Sequence, residues 1–282
     1  VISKFFLKEN LPNKELLKKV EEEKPDLVFI LKGEVFQPET IKKIKEMGVK
    51  IVNWSMDSPF HPLYSSKKLV KSIGLYDKFF TPVKDMEIRL KNMGMDNAKF
   101  LAFACDPDIH KTIKLTEEEQ ETLGSAVTFV GTYYHERETL LSGLEKFGLK
   151  IWGNEWENST KAIRKCATMK SVEGLDMTKV FNASKISVGT HQEQSMGSLT
   201  MRVFEAPACG SFMITDQRAD LKKFYKKDEM IAYKNKKELI KQIEYYLENE
   251  KERKIMTRKA QIRARKDHTY KNRMSQMLEE IK

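Results

Sequence analysis

The amino-acid sequence predicts an α/β protein with two domains, each built around a parallel sheet. Short apolar runs, typical of buried strands, alternate with longer segments of helical period, and this alternation occurs twice along the chain. The chain has 282 residues, which is enough for two domains that each bury their own core. Hydrophobic residues make up 40% and charged residues 33% of the sequence, which favours a globular protein over a disordered one.

The first domain is predicted over residues 1–115. Apolar runs predict strands at residues 26–31, 49–54, 76–80 and 99–104, and helical segments lie at residues 13–23, 38–47 and 83–93. A polar loop over residues 55–66 follows the second strand. Ligands of parallel sheets bind at the carboxyl ends of the strands, so we predict Asp57 and His61 in this loop as catalytic candidates. An Asx turn at Asp57 is the alternative.

An acidic, polar segment over residues 115–124 is predicted as a linker, and the second domain follows over residues 124–267. Its predicted strands lie at residues 127–130, 149–152, 185–188, 212–214 and 231–233. Its predicted helices lie at residues 135–147, 177–184, 236–249 and 252–266, and another follows at residues 270–281. A further helix is predicted between an N-cap at Thr200 and a terminating Gly210.

Two charged residues of the helix predicted between Thr200 and Gly210 suggest a binding site. Arg202 lies in its first turn, where the helix dipole is positive and a cation costs roughly 0.3–1 kcal/mol. Glu205 follows about one turn later. An anion bound at this end of the helix would explain the arginine, because free N–H groups there bind phosphate. The alternative is a surface arginine and a solvated glutamate on an ordinary helix.

The turn after the predicted strand at residues 127–130 is a second candidate phosphate site. Gly131 allows close approach of the backbone to a ligand, and Thr132 leads into a helix with free N–H groups. Arg137 lies in the first turn of that helix and is another cation placed against the dipole. Lys185 is the first residue of the predicted strand at residues 185–188, which leads to the loop of His191, and we predict it as part of the same phosphate site. A glycine that only makes a turn is the alternative.

His191 lies in a loop between two glycines, at the end of a predicted strand. An imidazole there could polarise or deprotonate a hydroxyl near neutral pH, so His191 joins Asp57 and His61 as a catalytic candidate. A structural role is the alternative. Trp152 and Trp156 are candidates for stacking on a nucleobase, and for Trp152 packing in the core is the alternative.

Cys105, Cys166 and Cys209 are far apart and odd in number, and no C-x-x-C pair occurs. This spacing favours neither a disulfide framework nor a zinc site, and we expect a cytoplasmic protein. No apolar run approaches the ~20 residues that a membrane span needs. The first residues do not read as a signal peptide, and the missing initiator Met indicates a fragment or a processed chain.

The chain is basic, with a formal net charge of +10. Residues 251–282 contain eleven Lys or Arg and four Asp or Glu, so +7 of the excess lies in this segment. Basic helices of this kind contact nucleic acid, anionic lipid or an acidic substrate, or they present a solvated face. No nucleic-acid-binding motif occurs, so a specific nucleic-acid partner is not expected.

Five segments of the chain form an ordered set: VTFVGTYYHERETLL, FNASKISVGTH, LTMRVFEAPACGSFMITD, ELIKQIEYYL and KDHTYKNR. Together they resemble the CgeB-like spore-maturation proteins, which are glycosyltransferase-like proteins of the GT-B class. The N-terminal segments DLVFILKGEVFQPETIKKIK and IVNWSMDSPFH also resemble that family, so the resemblance covers nearly the whole chain. It implies a GT-B fold of two Rossmann-like domains facing each other across a cleft, with the final helix, residues 268–282, returning to the first domain.

The resemblance also implies roles for several residues. The C-terminal domain would hold a nucleoside-diphosphate sugar, and the N-terminal domain would present the acceptor. A glutamate at the position of Glu205 would accept hydrogen bonds from the ribose hydroxyls. Basic residues and backbone N–H groups near Gly131, Lys185 and Arg202 would hold the diphosphate. No metal or other cofactor is implied, because the nucleotide sugar is a co-substrate.

The chain departs from the family pattern at one position. Many retaining relatives carry a second glutamate eight positions before the ribose glutamate, and Gly197 stands there in this chain. Either the alignment shifts in this loop, with Glu193 as the substitute, or the leaving group is handled differently. The resemblance therefore leaves retention and inversion of the anomeric centre both open.

The leading hypothesis is a glycosyltransferase that moves a sugar from a nucleoside-diphosphate sugar to a glycan, a protein or a cell-surface polymer. The second is a protein of the same fold that binds a sugar nucleotide or a glycan without transfer. The third is a basic protein that binds nucleic acid or an anionic surface through its C-terminal helices, and peripheral membrane contact belongs to this hypothesis. An epimerase on the same scaffold is a further alternative, because a fold does not fix a function.

Overall fold

The computed structural model describes residues 13–61, 65–191 and 199–282. Contacts between residues divide the chain into two units. Unit 1 holds the described residues of Val1–Ala102 together with Gln276–Lys282. Unit 2 holds the described residues of Phe103–Gln192 and of Leu199–Ser275. The division falls at Ala102, earlier than the predicted boundary near residue 115, because Cys105 and Ile113 already form hydrogen bonds within unit 2.

Unit 1 alternates strands and helices as predicted. Its elements are α1 (Asn13–Glu23), β1 (Leu27–Leu31), α2 (Pro38–Glu46), β2 (Lys50–Trp54), α3 (Lys67–Ser72), β3 (Lys78–Thr81), α4 (Lys84–Asn92) and β4 (Ala98–Phe100). The four described strands form one parallel sheet in the order β1-β2-β3-β4. The core contains apolar residues of both helices and strands, with Ile41, Ile44, Phe79, Met86 and Leu90 fully buried.

The end of the chain also belongs to unit 1. The last helix, α13, covers Tyr270–Glu280. Its Glu280 forms ion pairs with Lys99 at 2.9 Å and with Lys78 at 3.8 Å, and Lys50 donates to the carbonyl of Ile281 at 2.6 Å. These lysines lie on β2, β3 and β4, so the C-terminal residues lie along the sheet of unit 1.

Unit 2 carries a larger parallel sheet. Its strands are β5 (Val127–Val130), β6 (Leu149–Trp152), β7 (Ile186–Val188), β8 (Phe212–Asp216) and β9 (Ile231–Tyr233). Its helices are α5 (Glu117–Leu123), α6 (His135–Leu141), α7 (Lys161–Cys166), α8 (Gly174–Ala183), α9 (Arg202–Ala208), α10 (Leu221–Phe224), α11 (Lys236–Glu248), α12 (Glu250–Asp267) and the start of α13. The described strands are all parallel and lie in the order β6-β5-β7-β8-β9. The predicted α/β architecture with two parallel sheets is confirmed.

The structure corrects two local predictions. Residues 117–123 form a helix rather than a linker, because Thr116 and Glu119 make a capping box in which each side chain accepts from the other residue's backbone N–H. Thr200 does not cap α9, which begins at Arg202 with no side-chain cap. The carbonyl of Thr200 instead accepts from the N–H of Val203 at 3.1 Å, and this forms a preceding turn.

Candidate functional site

The strand order of unit 2 reverses between β5 and β7. The chain passes from β5 outward to β6 and then returns to the other side of β5 to form β7. In open parallel sheets, ligands bind outside the carboxyl ends of the strands at such a reversal, because the loops on the two sides diverge there. Gly131 directly follows β5, and Gly189 directly follows β7. The reversal therefore places the candidate site next to these two glycines.

The turn at Gly131 is closely packed against the turn after β6. Gly153 has a φ of +148°, and a Cβ there would lie 2.1 Å from the carbonyl oxygen of Gly131. That same oxygen accepts from the indole N–H of Trp156 at 2.8 Å, and the N–H of Gly131 donates to the carbonyl of Trp152. The close approach of two backbones requires a glycine at 153 and fixes the position of residues 131–132.

Arg137, on α6, lies over this turn. Its Nη1 donates to the carbonyl of Thr132 at 2.6 Å, and its guanidinium lies over the rings of Tyr134 and Phe129, 4.9 and 5.4 Å from their centroids. Its Nε is buried and has no hydrogen-bond partner within the described ranges. Burial lowers the pKa of Arg137, and the positive charge of Arg202 lowers it further. Arg137 is thus a partly buried cation suited to binding an anion.

Arg202 and Glu205 pair on α9. Arg202 Nη1 forms a short contact with Glu205 Oε2, and the glutamate is only 6% exposed. The Nε of Arg202 is buried and, within the described part of the chain, has no acceptor. The positive charge of Arg202 contributes to the lowered pKa of Arg137, after the larger effect of burial. Arg137, Arg202 and Glu205 are therefore the charged candidates for ligand binding in unit 2.

His110 faces the second oxygen of Glu205, and the sequence prediction missed it. Its Nε2 lies 3.9 Å from Glu205 Oε1, and its Nδ1 accepts from the backbone N–H of Asp106 at 2.9 Å. The neutral ring must therefore carry its proton on Nε2, towards the glutamate. Burial lowers the pKa of His110, with Glu205 and Asp106 opposing that change. Only the fold reveals this contact, because His110 lies 95 positions before Glu205 in the sequence.

His191 is positioned by two residues that the sequence prediction also missed. Its side chain is completely buried, and Nδ1 forms a short hydrogen bond with Asp216 Oδ1, which also accepts from the backbone N–H of His191 at 3.1 Å. Arg218 Nε donates to Asp216 Oδ2 at 2.8 Å. Burial opposes ionisation of Asp216, but the contacts with His191 and Arg218 outweigh it, and the pKa of Asp216 is lowered. Because Asp216 ends β8, its place at a carboxyl strand end was a signal available in the sequence.

The structure does not bring Lys185 to this site. Lys185 is exposed at the amino end of β7, and its N–H donates to the carbonyl of Ser125, which precedes β5. Lys185 and Gly189 flank β7 and are four residue steps apart, which corresponds to about 13 Å at roughly 3.3 Å per residue. Grouping Lys185 with Gly131 and Arg202 was therefore wrong, because it lies at the opposite edge of the sheet.

The two tryptophans are buried. Trp156 is fully buried and contacts Phe129 and Tyr133 edge to face, so its prediction as a base-stacking residue is wrong. Trp152 is 5% exposed at the carboxyl end of β6. Its indole Nε1 is buried and finds no acceptor in the described part of the chain. Trp152 thus lies at the carboxyl edge of the sheet, where the candidate site is expected, with its ring packed in the interior.

Asp57 and His61 lie in unit 1, in the loop after β2. Asp57 Oδ2 lies 3.4 Å from Lys32 Nζ, and the N–H of His61 donates to the carbonyl of Ser58 at 3.1 Å. Both therefore follow a carboxyl strand end, as predicted from the sequence. Glu193 and Gly197, which bear on the departure from the family pattern, lie outside the described residues.

Within residues 13–61, 65–191 and 199–282, none of the helices is both long and apolar enough to cross a membrane. No group of three or more His, Cys, Asp or Glu residues within those ranges is arranged to hold a metal ion.

Several solved structures share this fold. Anabaena HepE, crystallised with UDP-glucose, is 11% identical, has a TM-score of 0.67, and the match covers 95% of this chain and 80% of HepE. Sucrose-phosphate synthase from Thermosynechococcus elongatus is 11% identical with a TM-score of 0.65, covering 95% of this chain and 75% of the synthase. A Listeria monocytogenes protein assigned as a UDP-N-acetylglucosamine 2-epimerase is 13% identical and has a TM-score of 0.54. The match covers 87% of this chain and 71% of the Listeria protein. The predicted α/β fold of the GT-B type is confirmed.

The sequence matches none of the curated proteins. A family model described as "Glycosyl transferase-like" matches residues 137–279, which is half of the chain. That segment begins at Arg137 and includes the Arg202–Glu205 pair and the His191–Asp216 contact. The chain therefore belongs to the glycosyl transferase-like family.

Proposed function

We propose that this protein transfers a glycosyl group from a nucleoside-diphosphate sugar to a hydroxyl of an acceptor. The observation that carries the proposal is the pair of arginines in unit 2. Arg137 and Arg202 are each a partly buried cation on a helix of unit 2, and each has a buried Nε without a hydrogen-bond partner within the described ranges. A buried N–H without an acceptor is costly unless a ligand pairs with it, and a diphosphate supplies several acceptor oxygens together with negative charge.

The two arginines and Glu205 have separate roles in this proposal. The arginines hold the diphosphate, and Glu205 accepts hydrogen bonds from the ribose hydroxyls. As the sugar is transferred, the bond between the anomeric carbon and the diphosphate oxygen breaks, and its electron pair stays on that oxygen. The acceptor oxygen bonds to the anomeric carbon, and its proton passes to a base or to water. Cations fixed near the departing diphosphate stabilise the charge that develops on it.

The narrower assignment to the CgeB-like proteins is also a proposal. It rests on the five ordered segments that resemble that family, three of which include residues of the site. Those residues are Gly131, Thr132 and Arg137 in the first segment, His191 in the second, and Arg202 with Glu205 in the third. HepE, which has the same fold, was crystallised with UDP-glucose, and this makes UDP-glucose a reasonable first probe for the donor site.

A binding screen tests the proposal first. The protein is heated with UDP, GDP or ADP and with the glucose derivative of each, and the unfolding temperature is measured. A ligand present at 100 times its Kd adds about 2.7 kcal/mol of stability. At least one compound is expected to stabilise the protein, and the Arg137→Gln variant should lose most of that stabilisation. If no member of the panel stabilises the wild-type protein, the nucleotide-sugar proposal fails.

Product analysis separates transfer from the other activities. Incubation of the bound donor with a panel of glycan acceptors is expected to give a glycosidic product and the free nucleoside diphosphate. An altered sugar that is still attached to the nucleotide would indicate epimerisation, which the assignment of the Listeria neighbour raises as a second candidate. Binding without consumption of the donor across the panel would indicate a binding protein.

We also propose that α12 contacts an anionic membrane surface. Its outer face exposes Ile255 and Ile262, 51% and 52% exposed and two turns apart. The exposed basic residues three or four positions from them on this face are Lys251, Arg258, Lys259 and Lys266, of which Lys259 pairs with Asp228. Exposed apolar and basic side chains together favour lipid over nucleic acid, since isoleucine gains nothing from a phosphate backbone. Cosedimentation with phosphatidylserine vesicles should fall in the Ile255→Ser/Ile262→Ser variant; equal sedimentation of both proteins would contradict the proposal.

A further inference from the structure

His110 and Glu205 form a buried polar pair between two segments that are distant along the chain. Both residues are buried, and Nε2 of His110 lies 3.9 Å from Oε1 of Glu205. The other oxygen of the carboxylate, Oε2, contacts Nη1 of Arg202. The two oxygens of Glu205 therefore face two different side chains, one from its own helix α9 and one from the turn at residues 106–110.

The turn that carries His110 is closed by its own hydrogen bonds. The N–H of His110 donates to the carbonyl of Asp106 at 2.7 Å, and Nδ1 of the ring accepts from the N–H of Asp106 at 2.9 Å. An accepting Nδ1 carries no proton, so the neutral ring holds its proton on Nε2, next to Glu205. Burial lowers the pKa of His110, and this favours the neutral ring at neutral pH.

Helix α12 holds this turn and α9 together. Arg265 Nη1 donates to the carbonyl of His110 at 2.7 Å and to that of Pro107 at 3.0 Å. Gln261, four positions earlier on α12, donates from Nε2 to the carbonyl of Ala208, the last residue of α9, at 3.3 Å. Residues four apart lie on the same face of a helix, so one face of α12 binds both segments. Three elements of unit 2 therefore fix the contact between the histidine and the glutamate.

A donor beside its second oxygen restricts the carboxylate of Glu205. The torsion that turns a glutamate carboxylate has a broad minimum, so the contact with Arg202 alone leaves the plane of the group free to turn. At 3.9 Å the contact from His110 is longer than a hydrogen bond, and a shift of about 1 Å would make it one. The N–H at Nε2 carries partial positive charge, so it attracts Oε1 and favours one orientation of the carboxylate.

We propose that His110 is a positioning residue for Glu205, and that this pair makes the donor site selective for ribonucleotides. The inference rests on the proposed function, in which Glu205 accepts hydrogen bonds from the ribose hydroxyls. A carboxylate held in one orientation presents its remaining lone pairs to those hydroxyls, whereas one that turns freely loses binding energy to ordering. The role needs no charge on His110, because the neutral ring donates from Nε2.

The test compares two ligands that differ only in the ribose. They are UDP-glucose and its analogue with 2′,3′-dideoxyuridine, and the Kd of each is measured by calorimetry at neutral pH. The corresponding pair is used if the binding screen selects GDP-glucose or ADP-glucose. The ratio of the two Kd values isolates the hydroxyls, because the base, the diphosphate and the glucose are the same. The wild-type protein is expected to bind the analogue about tenfold more weakly, or worse.

Two variants of His110 separate its two nitrogens. His110→Asn keeps an acceptor near the place of Nδ1, for the N–H of Asp106, and removes the donor to Glu205. His110→Gln keeps an N–H near the place of Nε2 and removes that acceptor. His110→Asn should lower the ratio about threefold by weakening UDP-glucose alone, whereas His110→Gln should keep most of it. Asp108→Asn, an exposed aspartate of the same turn, is the matched control and should keep the wild-type ratio.

A double-mutant cycle tests whether His110 acts through Glu205. In the Glu205→Gln background, His110→Asn should change the ratio no further, because the carboxylate that the histidine orients is absent. Unfolding temperatures identify any variant that fails to fold. If only one of the two His110 variants folds, its ratio still decides, because His110→Asn must lower the wild-type ratio and His110→Gln must keep most of it.

The outcomes keep the two proposals apart. If the wild-type protein binds none of UDP-glucose, GDP-glucose and ADP-glucose, the proposed function fails and this inference fails with it. If it binds UDP-glucose and the dideoxy analogue equally well, or if His110→Asn weakens both ligands by the same factor, donor binding stands and this inference is overturned. A ratio that falls in His110→Gln but not in His110→Asn would also overturn it, because the histidine would then only close its turn.

Discussion

Unit 1 and unit 2 are built from the same alternation of strand and helix, but their strand orders differ. In unit 1 the described strands follow the chain, β1-β2-β3-β4, whereas in unit 2 the order reverses between β5 and β7. A reversal makes consecutive crossovers leave in opposite directions and opens a crevice at the carboxyl edge. Among the described strands, the same alternation of strand and helix therefore predicts a ligand site in unit 2, where the strand order reverses.

The two units also differ in how their buried and half-buried charged side chains are paired. In unit 1, buried Glu87 on α4 pairs with Lys84 and Lys91 of its own helix. In unit 2, Arg202 pairs with Glu205 and Arg137 donates to the carbonyl of Thr132, and each arginine keeps an unpaired Nε within the described residues. Charges in unit 1 are compensated locally, whereas those at the strand reversal of unit 2 leave positive charge for a ligand. Four pairs of matched substitutions can break or sharpen this contrast.

The largest effect is expected from Gly153→Ala compared with Gly33→Ala. Both glycines have positive φ, +148° and +100°, and both follow a strand. A Cβ at Gly153 would lie 2.1 Å from the backbone oxygen of Gly131, whereas one at Gly33 would meet a side-chain atom, the amide nitrogen of Asn53, at 2.7 Å. Gly153→Ala should cost about 3 kcal/mol and Gly33→Ala about 1–2 kcal/mol of unfolding free energy, measured by urea denaturation. Equal losses of unfolding free energy in the two variants would show that the turn at Gly153 is no more tightly packed than the turn at Gly33.

The second comparison uses two arginines that stack on aromatic rings. Arg137 lies over Tyr134 in unit 2, and Arg89 lies 4.8 Å from the centroid of Phe60 in unit 1. Arg137→Gln should weaken UDP-glucose binding about 30-fold, which corresponds to about 2 kcal/mol for a hydrogen bond to a charged group. Arg89→Gln should leave the affinity unchanged. Calorimetry measures the UDP-glucose affinity of both variants. A similar loss of affinity in Arg89→Gln would contradict a specific role of Arg137 in binding.

The third comparison uses two buried glutamates. Glu205 is 6% exposed and Glu87 is 5% exposed, and each pairs with a basic residue three positions earlier on its helix. Glu205→Ala should raise the Kd for UDP-glucose at least tenfold, or about 1.4 kcal/mol, because the ribose loses its acceptor. Glu87→Ala should reduce stability without changing the Kd. An unchanged Kd in Glu205→Ala would contradict the assignment of the ribose contact.

The sequence predicts much of the fold because its local signals agree. Short apolar runs such as residues 127–130 and 149–152 predict their strands to the residue, and Pro38 with Gly48 frames α2. The helix at residues 117–123 was missed because an acidic, polar segment resembles a linker. The capping box at Thr116 and Glu119 stabilises that helix without an apolar face, since none of its residues is buried.

The site could be predicted only in part. Arginines in the first turn of a helix are visible in a sequence, so Arg137 and Arg202 could be predicted as candidates from the sequence alone. Partners that are distant along the chain were not, since His110 meets Glu205 and Asp216 meets His191 only through the tertiary fold. The prediction that Lys185 belongs to the phosphate site was wrong for a geometric reason. Lys185 directly precedes β7 and so lies at the amino edge of the sheet, opposite the edge at which ligands bind.

The smallest effect concerns the acid sensitivity of unit 1. Burial opposes ionisation of Glu87, but hydrogen bonds from Lys84 and Lys91 outweigh it, so its pKa lies below the usual 4.5. A carboxyl group with a lowered pKa in the folded protein stabilises the fold above its unfolded pKa and loses that contribution as the pH falls through the folded value. Because both lysines are about 40% exposed, solvent screens the contacts, and we expect less than about 1 kcal/mol.

Glu87→Gln should therefore be slightly less stable than the wild type at pH 7 and should lose less stability between pH 7 and values below 4.5, measured by urea denaturation. Glu46→Gln on α2, an exposed glutamate of the same unit, is the matched control and should follow the wild-type curve. A Glu87→Gln curve parallel to that of the wild type would mean that the lysine contacts do not stabilise unit 1. The contrast between locally compensated charge there and ligand-directed charge in unit 2 would then rest on the binding data for Arg137 and Glu205 alone.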